Sequence, residues 1–420
     1  MKLNAVCILA ALVLVLPATR GQAQAVENQA ASPFDAVTGG KLLLNLRPRY
    51  EHVEQDGKAY DANALTLRTL LGWQTGTYRG FSATTQMIDV GRLNENYNDT
   101  KNARTQFPVV ADPDNTDINQ VYLDYSGLPD TRLRLGKQSI KLDNVRFIGN
   151  VEFRQVMQVF TGLTAENKSL SGITLYGGHL ERLKTIFGDQ QEIKLDILHA
   201  AYEWAPGNNL IGYGYLHDSA KTASVTGFAN NSNRIFGLRA DGAYPLGDTI
   251  RLLYTAEYAR QQDYADGDSR IDADYIHGGI GADWKIIYAR VDYEVLGSNN
   301  GVYAFQTPLG TNHLFQGWAD LFLTTPAKGI RDAYLTLGGP IEKARWSAEF
   351  HDFRSDFGNI HYGRELDFGV SYPLRKGLIG KIEYAGFREA DILAPVSARK
   401  RDTDKLWLTL VYNFESLPSG

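Results

Sequence analysis

The sequence predicts an all-β, transmembrane antiparallel barrel of about 18 strands, and three observations carry that prediction. Apolar and polar residues alternate with period two through most of the chain from Lys41 onward. Short turn-forming stretches alternate with long polar ones. Aromatic residues reach 11% and glycines number 41, yet no long apolar run follows the first 25 residues. A helical membrane protein would need repeated apolar runs of ~20 residues, so that class is excluded. The aromatic content also excludes a disordered chain. With 43 basic and 48 acidic residues, an overall basic, nucleic-acid-binding surface is excluded as well.

Residues 1–25 read as a secretory signal peptide. Lys2 supplies the positive start, Ala5 to Ala18 the apolar stretch, and Ala23-Gln24-Ala25 the cleavage site. The apolar stretch is too short to span ~30 Å of hydrocarbon as a helix. Losing Lys2 and Arg20 with the leader leaves 41 basic against 48 acidic groups. Cys7 is the single cysteine and leaves too, so the exported chain has no disulfide to hold it.

Residues 26–40 read as a short periplasmic lead, 41–414 as the barrel and 415–420 as a C-terminal tail. In the first strand Leu42, Leu44 and Leu46 alternate with Asn45, Arg47, Arg49 and Glu51. The second sets Leu65, Leu67, Leu71 and Trp73 against Thr66, Arg68 and Gln74. Only a strand keeps such a pattern one-sided. Val121, Leu123 and Tyr125, and later Ala289, Val291, Tyr293 and Val295, repeat it. The predicted strands run from 41–52 and 61–74 to 378–388 and 403–414, with the least regular stretch at 158–178.

Short turns are expected at 75–79, 127–131, 205–209, 245–248, 340–343 and 374–377. Longer loops are expected at 91–116, 142–157, 218–232, 261–272, 297–330 and 389–402. An even strand number, short turns on one side and long loops on the other describe an outer-membrane barrel with both termini in the periplasm. A β-sandwich would not sort its connections so regularly, and a propeller would show a four-strand repeat. The last strand puts Leu406, Leu408, Leu410, Tyr412 and Phe414 on one face, like the C-terminal signal read by the barrel assembly machinery.

If the apolar face meets outer-membrane lipid, the polar face lines the lumen. An Arg at mid-depth in hydrocarbon costs ~2–4 kcal/mol, so the strand arginines must point inward. Tyr50, Trp73, Tyr125, Tyr254 and Tyr412 are placed instead in the interfacial girdles. Each lumen charge can act as a register-holding cross-strand ion pair, as Asp124 could, or as part of a solute path. The path reading rests on clustering: Arg47, Arg49 and Arg68 fall on adjacent strands, and Arg132 and Arg134 share the lumen phase nearby. Guanidinium forks grip carboxylates and never lose their charge. The predicted constriction comprises these five arginines with the loop around Asn144–Arg154 folded against them. A wide general porin would instead part bases and acids onto opposite walls.

Two loops are too aromatic to be exposed spacers. Residues 135–155 mix Asp143, Asn144, Arg146, Asn150 and Arg154 with Phe147 and Phe153, and residues 305–323 carry Phe305, Phe315, Trp318 and Phe322. Both are expected to fold inward. These stretches, with Leu44-Asn-Leu-Arg-Pro-Arg-Tyr-Glu51, Ala64-Leu-Thr-Leu-Arg68 and Phe107-Pro-Val-Val-Ala-Asp-Pro113, resemble the alginate export family of outer-membrane barrels. The resemblance covers nearly all of the mature chain. It implies a monomeric, eighteen-stranded barrel without cofactor, passing anionic material through an Arg-lined lumen by passive diffusion. The solute class it implies is an acidic poly- or oligosaccharide such as alginate, or a small organic acid. Arg47, Arg49, Arg68, Arg132 and Arg134, with Arg146 and Arg154 in the loop, are the positions carried over. The lumen set departs from a purely basic path, because it holds about as many acids as bases.

Other signals are weaker. Gly214-Tyr-Leu-His217-Asp-Ser219 is similar to the core of outer-membrane phospholipases, but Ala220-Lys221 stands where Asn-Gly should follow. That enzyme is the runner-up, and a loop-based adhesin or receptor barrel is the third class. The runs beginning at Asp112 and Asp263 lack the Gly and Glu of a calcium loop. The eight His form no H-x-x-x-H pair, so no zinc site is expected.

Overall fold

The computed structural model describes residues 29–219, 228–390 and 401–416. The leader, Ala220-Lys221 and the end of the tail lie outside the described residues. Eighteen strands form one closed antiparallel sheet. They are β1 (Lys41–Gln55), β2 (Ala62–Gln74), β3 (Phe81–Arg92), β4 (Asn115–Leu128), β5 (Thr131–Gln138) and β6 (Val159–Leu170). Next come β7 (Ile173–Lys184), β8 (Gln190–Ala205), β9 (Asn208–Asp218), β10 (Asn233–Pro245), β11 (Arg251–Asp263) and β12 (Asp272–Asp283). The last six are β13 (Tyr288–Leu296), β14 (Ile330–Ile341), β15 (Ala344–Arg354), β16 (His361–Arg375), β17 (Leu378–Glu389) and β18 (Thr403–Glu415). Each strand pairs with its sequence neighbours, and β1 also pairs with β18, from Leu43 opposite Glu415 to Gln55 opposite Thr403. Closure leaves no open edge, the requirement for a sheet in hydrocarbon.

The alternation expected from sequence sets the faces. On β1 the inward positions Arg47, Arg49, Glu51 and Val53 are buried, and on β2 Ala62, Ala64, Thr66 and Arg68 are. Outward, Leu71, Val121, Leu238, Ile280, Val291 and Leu366 stay exposed on the protein surface, an apolar belt that suits lipid. All six predicted turns are turns, and the predicted loops at 91–116, 142–157, 261–272 and 297–330 are long, whereas those at 218–232 and 389–402 lie largely outside the described residues. Three connections on the loop side, 56–61, 185–189 and 355–360, are as short as turns. The irregular stretch resolves into β6 and β7, each reaching beyond its predicted end, to Leu170 and Lys184.

Ahead of β1 the lead makes a short helix, α1 (Pro33–Thr38). Ser32 caps it by accepting from the Asp35 amide at 3.1 Å, and Pro33 starts it. The helix lies across the β2–β3 turn: the Gly76 amide donates to the Ala36 carbonyl at 2.8 Å and the Trp73 indole to Val37 at 3.0 Å.

The barrel interior is filled by two loops, here called L3 (139–158) and L7 (297–329). The largest buried apolar cluster joins Phe147 and Ile148 of L3, Phe305, Leu309 and Phe322 of L7, and inward strand residues such as Tyr213, Tyr275, Phe353 and Phe387. Phe147 packs 5.2 Å from the Tyr275 ring and 5.7 Å from Phe305, edge-on or tilted as aromatic quadrupoles prefer.

Candidate functional site

L3 and L7 are tied to each other before they are tied to the wall. The Gly149 amide donates to the Leu309 carbonyl at 2.9 Å, Thr311 to Val145 at 2.9 Å, and Val151 to the Thr311 hydroxyl at 3.1 Å. The Gln158 side-chain amide donates to the Gly149 and Leu309 carbonyls at 2.8 and 2.9 Å. Glycine permits this approach: a Cβ on Gly310 would lie 2.1 Å from the Arg146 carbonyl oxygen.

Buried ion pairs then fix the loop pair inside the barrel. Arg154 of L3 reaches Asp320 of L7 at 2.7 Å and Glu51 of β1 at 3.2 Å. Lys405 of β18 meets the same Asp320 at 3.2 Å, and His313 meets it at 2.8 Å. Burial alone would raise the Asp320 carboxyl, but Lys405, His313 and Arg154 outweigh it and hold it well below the usual range. Arg146 bridges to Glu294 of β13 at 2.8 Å and lies 4.4 Å over the Phe315 ring. Phe153 stacks on His313 at 3.3 Å, and Arg49 lies 4.4 Å over the same Phe153 ring.

The predicted arginines fall into three groups. Arg47, Arg49 and Arg68 line one cavity of about 700 Å³, shared with Asn144, Lys141 and Lys381. Arg47 donates to Gln155 at 2.8 Å and to the Glu152 carbonyl at 2.7 Å, and Arg49 to the Phe153 carbonyl at 2.7 Å. Arg68 donates to Asn45 at 2.9 Å, while its Nε and Nη1 have no partner. Among the described residues none of the three forms an ion pair with a carboxylate. Arg132 and Arg134 line a separate, smaller cleft of about 160 Å³, which meets the first at Lys141. Arg134 grips Asp124 with two bonds of 2.7 and 2.8 Å, and Arg132 sits 3.4 Å from Glu166. Arg146 and Arg154 are the buried loop anchors described above.

Acids gather on another arc of the wall. Asp292, Glu294, Asp332, Glu365 and Asp367, on β13, β14 and β16, are all buried. Bases on β1, β2, β17 and β18 and acids on β13 to β16 lean to opposite arcs, as in a wide porin, but Glu51 on β1 and Arg290 on β13 cross that division. Asp112, Lys141, His313, Asp320 and Lys405 belong to the site and were missed by sequence. Lys405 could have been found from its phase on β18, opposite Leu406 and Leu408.

The weaker signals resolve simply. His217 points inward with Tyr213 and Tyr215, not to the outer wall that phospholipase chemistry needs. In the two acidic loops, Asp114 pairs with Arg92 at 2.6 Å and Asp268 with Arg270 at 2.5 Å.

The model of a family described as alginate export matches residues 44–298. No curated protein matches the chain. The crystal structure of Pseudomonas aeruginosa OccK9 (OpdG) superposes with a TM-score of 0.70 at 16% identity, over 91% of this chain and 100% of that one. Acinetobacter baumannii OccAB2 gives 0.70 at 14% identity, over 91% and 99%. Pseudomonas aeruginosa OpdK, crystallised with vanillate, gives 0.68 at 14% identity, over 90% and 99%. At these identities the likeness carries the fold, whereas the family match reaches from β1 through β13. The chain belongs to the alginate export family of outer-membrane β-barrels.

Proposed function

We propose that the protein is an outer-membrane channel that passes anionic solutes by passive diffusion along Arg47, Arg49 and Arg68. The solutes are acidic oligo- or polysaccharides, alginate among them, or small organic acids. One observation carries this reading: three buried arginines line a single cavity and none is neutralised by an ion pair. Guanidinium groups held by carbonyls and amides, not by carboxylates, leave their forks open to a passing carboxylate. Glu152 and Glu383 beside them keep binding weak enough for release. The Trp318 indole on the cavity wall offers a face for a sugar ring. The reading includes no catalytic step, and the barrel works as a monomer placed in the membrane by the assembly machinery.

Planar-bilayer recordings test it. The wild-type pore should prefer anions and be blocked by uronate oligomers or by a small acid such as vanillate. Arg68→Ala should shift the reversal potential towards cations and weaken that block. An unchanged potential and unchanged block would remove the site from the proposal.

A further inference from the structure

We infer that Glu349, His351 and Asp367 form a binding site for a single divalent transition cation of the zinc class in the acidic arc of the wall. His351 and Glu349 share the inward face of β15, and Asp367 stands directly opposite Glu349 on β16. His351 Nε2 lies 3.4 Å from a Glu349 oxygen and 3.6 Å from an Asp367 oxygen. All three donor atoms fall within 4.8 Å of one another. Ligand bonds of about 2.0–2.2 Å in a tetrahedron set donor atoms about 3.3–3.6 Å apart, which matches the two distances from His351.

A second observation points to the same ligand. His351 is 2% exposed, and among the described residues its Nε2 makes no hydrogen bond of full geometry, only the long approaches to Glu349 and Asp367. Its other nitrogen, Nδ1, lies 2.9 Å from Asp332, the carboxylate–histidine arrangement that turns the Nε2 lone pair towards a metal. Asp367 and Glu365 are likewise buried, carboxyl beside carboxyl, with no basic side chain paired to either among the described residues. Glu365 stands opposite His351 on the ladder, so four carboxylates crowd one imidazole. Like charges directly opposite across a ladder repel. Among the described residues no Lys or Arg pairs with Glu349, Asp332, Glu365 or Asp367. A divalent cation meets that charge with the donors already aimed.

The ligand set, one imidazole and two carboxylates, suits Zn²⁺ and its neighbours rather than an all-oxygen calcium site. Further along the same strands, Ser347 and Gly369 line a cavity of about 610 Å³ that offers a way in from the lumen. The cation would also stiffen L7, because the Ala319 and Trp318 amides donate to Glu365 and Asp367 at 2.6 and 3.3 Å.

The test uses the untagged, detergent-purified barrel, stripped with chelator and titrated with Zn²⁺ by calorimetry. Wild type should bind one ion per barrel. His351→Gln and Glu349→Gln should each lower the affinity about 100-fold, and Asp332→Asn about tenfold, the range for a residue behind a ligand. Heat-modifiable gel migration verifies that each variant is a closed barrel. Should His351→Gln fail to fold, Glu349→Gln at its half-buried position carries the test alone. Co²⁺ in place of Zn²⁺ should give the visible absorption of a tetrahedral site in wild type only. No stoichiometric binding by wild type, or equal binding by wild type and the variants, overturns the proposal.

Discussion

Arg154 of L3 and Asp320 of L7 are 166 residues apart in sequence and 2.7 Å apart in space. The contact joins the two inward loops at the depth where Glu51 and Lys405 reach them from the wall. Breaking a buried pair by removing one partner leaves the other charge uncompensated, at about 3–5 kcal/mol. Arg154→Ala should therefore loosen the loops while the barrel itself persists. Single-channel recordings should show larger conductance and frequent gating steps, with heat-modifiable migration unchanged.

Acid should act on the same contact in a defined window. The Asp320 carboxyl is held below its ordinary value, so its contribution is full above about pH 4 and is lost as pH falls through the depressed value. Conductance should stay flat from neutral pH down to about pH 4 and rise only below that. Asp320→Asn should show the loosened state at neutral pH. A rise centred near pH 6 would contradict this.

Arg134 and Asp124 predict the opposite behaviour from Arg68. Their two-bond pair joins neighbouring strands β4 and β5, so it holds register. A double-mutant cycle with Arg134→Ala and Asp124→Ala should return a coupling of about 0.2–1 kcal/mol in urea unfolding. The reversal potential should not move in Arg134→Ala.

Gly310→Ala tests the seam between the loops. The added Cβ meets the Arg146 carbonyl oxygen at 2.1 Å, a backbone atom that cannot swing away. Overpacking of this kind costs about 1–3 kcal/mol and should push L7 off L3. Protease sensitivity within 297–329 should rise, and block by uronate should weaken.

Much of this molecule is legible in its sequence because a barrel wall is written locally. The alternation around Arg47 and Arg49 gives their direction, and the turns give the strand order. The aromatic content of residues 135–155 and 305–323 gives their inward fold. What cannot be read is which inward charges meet. Arg134 and Arg68 carry the same signal in sequence, yet one stands opposite Asp124 across a ladder and the other opposite Arg47, donating to Asn45. That difference lies in register and in bulges such as the shift between Gln86 and Met87, which no periodicity records. Asp320 and Lys405 meet through a loop entering from above, and Glu349 and Asp367 meet because β15 and β16 pair in one register. These are long-range facts, absent from any local pattern.

The pairing of β1 with β18 bears on how the molecule is made. Lys41 bridges to Glu415 at 2.9 Å and Asn45 donates to Asn413 at 2.7 Å, so the last strand completes the bonds of the first. Such distant contacts must await loop closure over nearly the whole chain, which makes them late and slow. Arg49 sits on that join, donating to Thr409 at 3.2 Å on one side and to the Phe153 carbonyl on the other. L3 thus has no complete berth until the cylinder has shut. Seating of L3 and closure of the wall therefore hang on the same join.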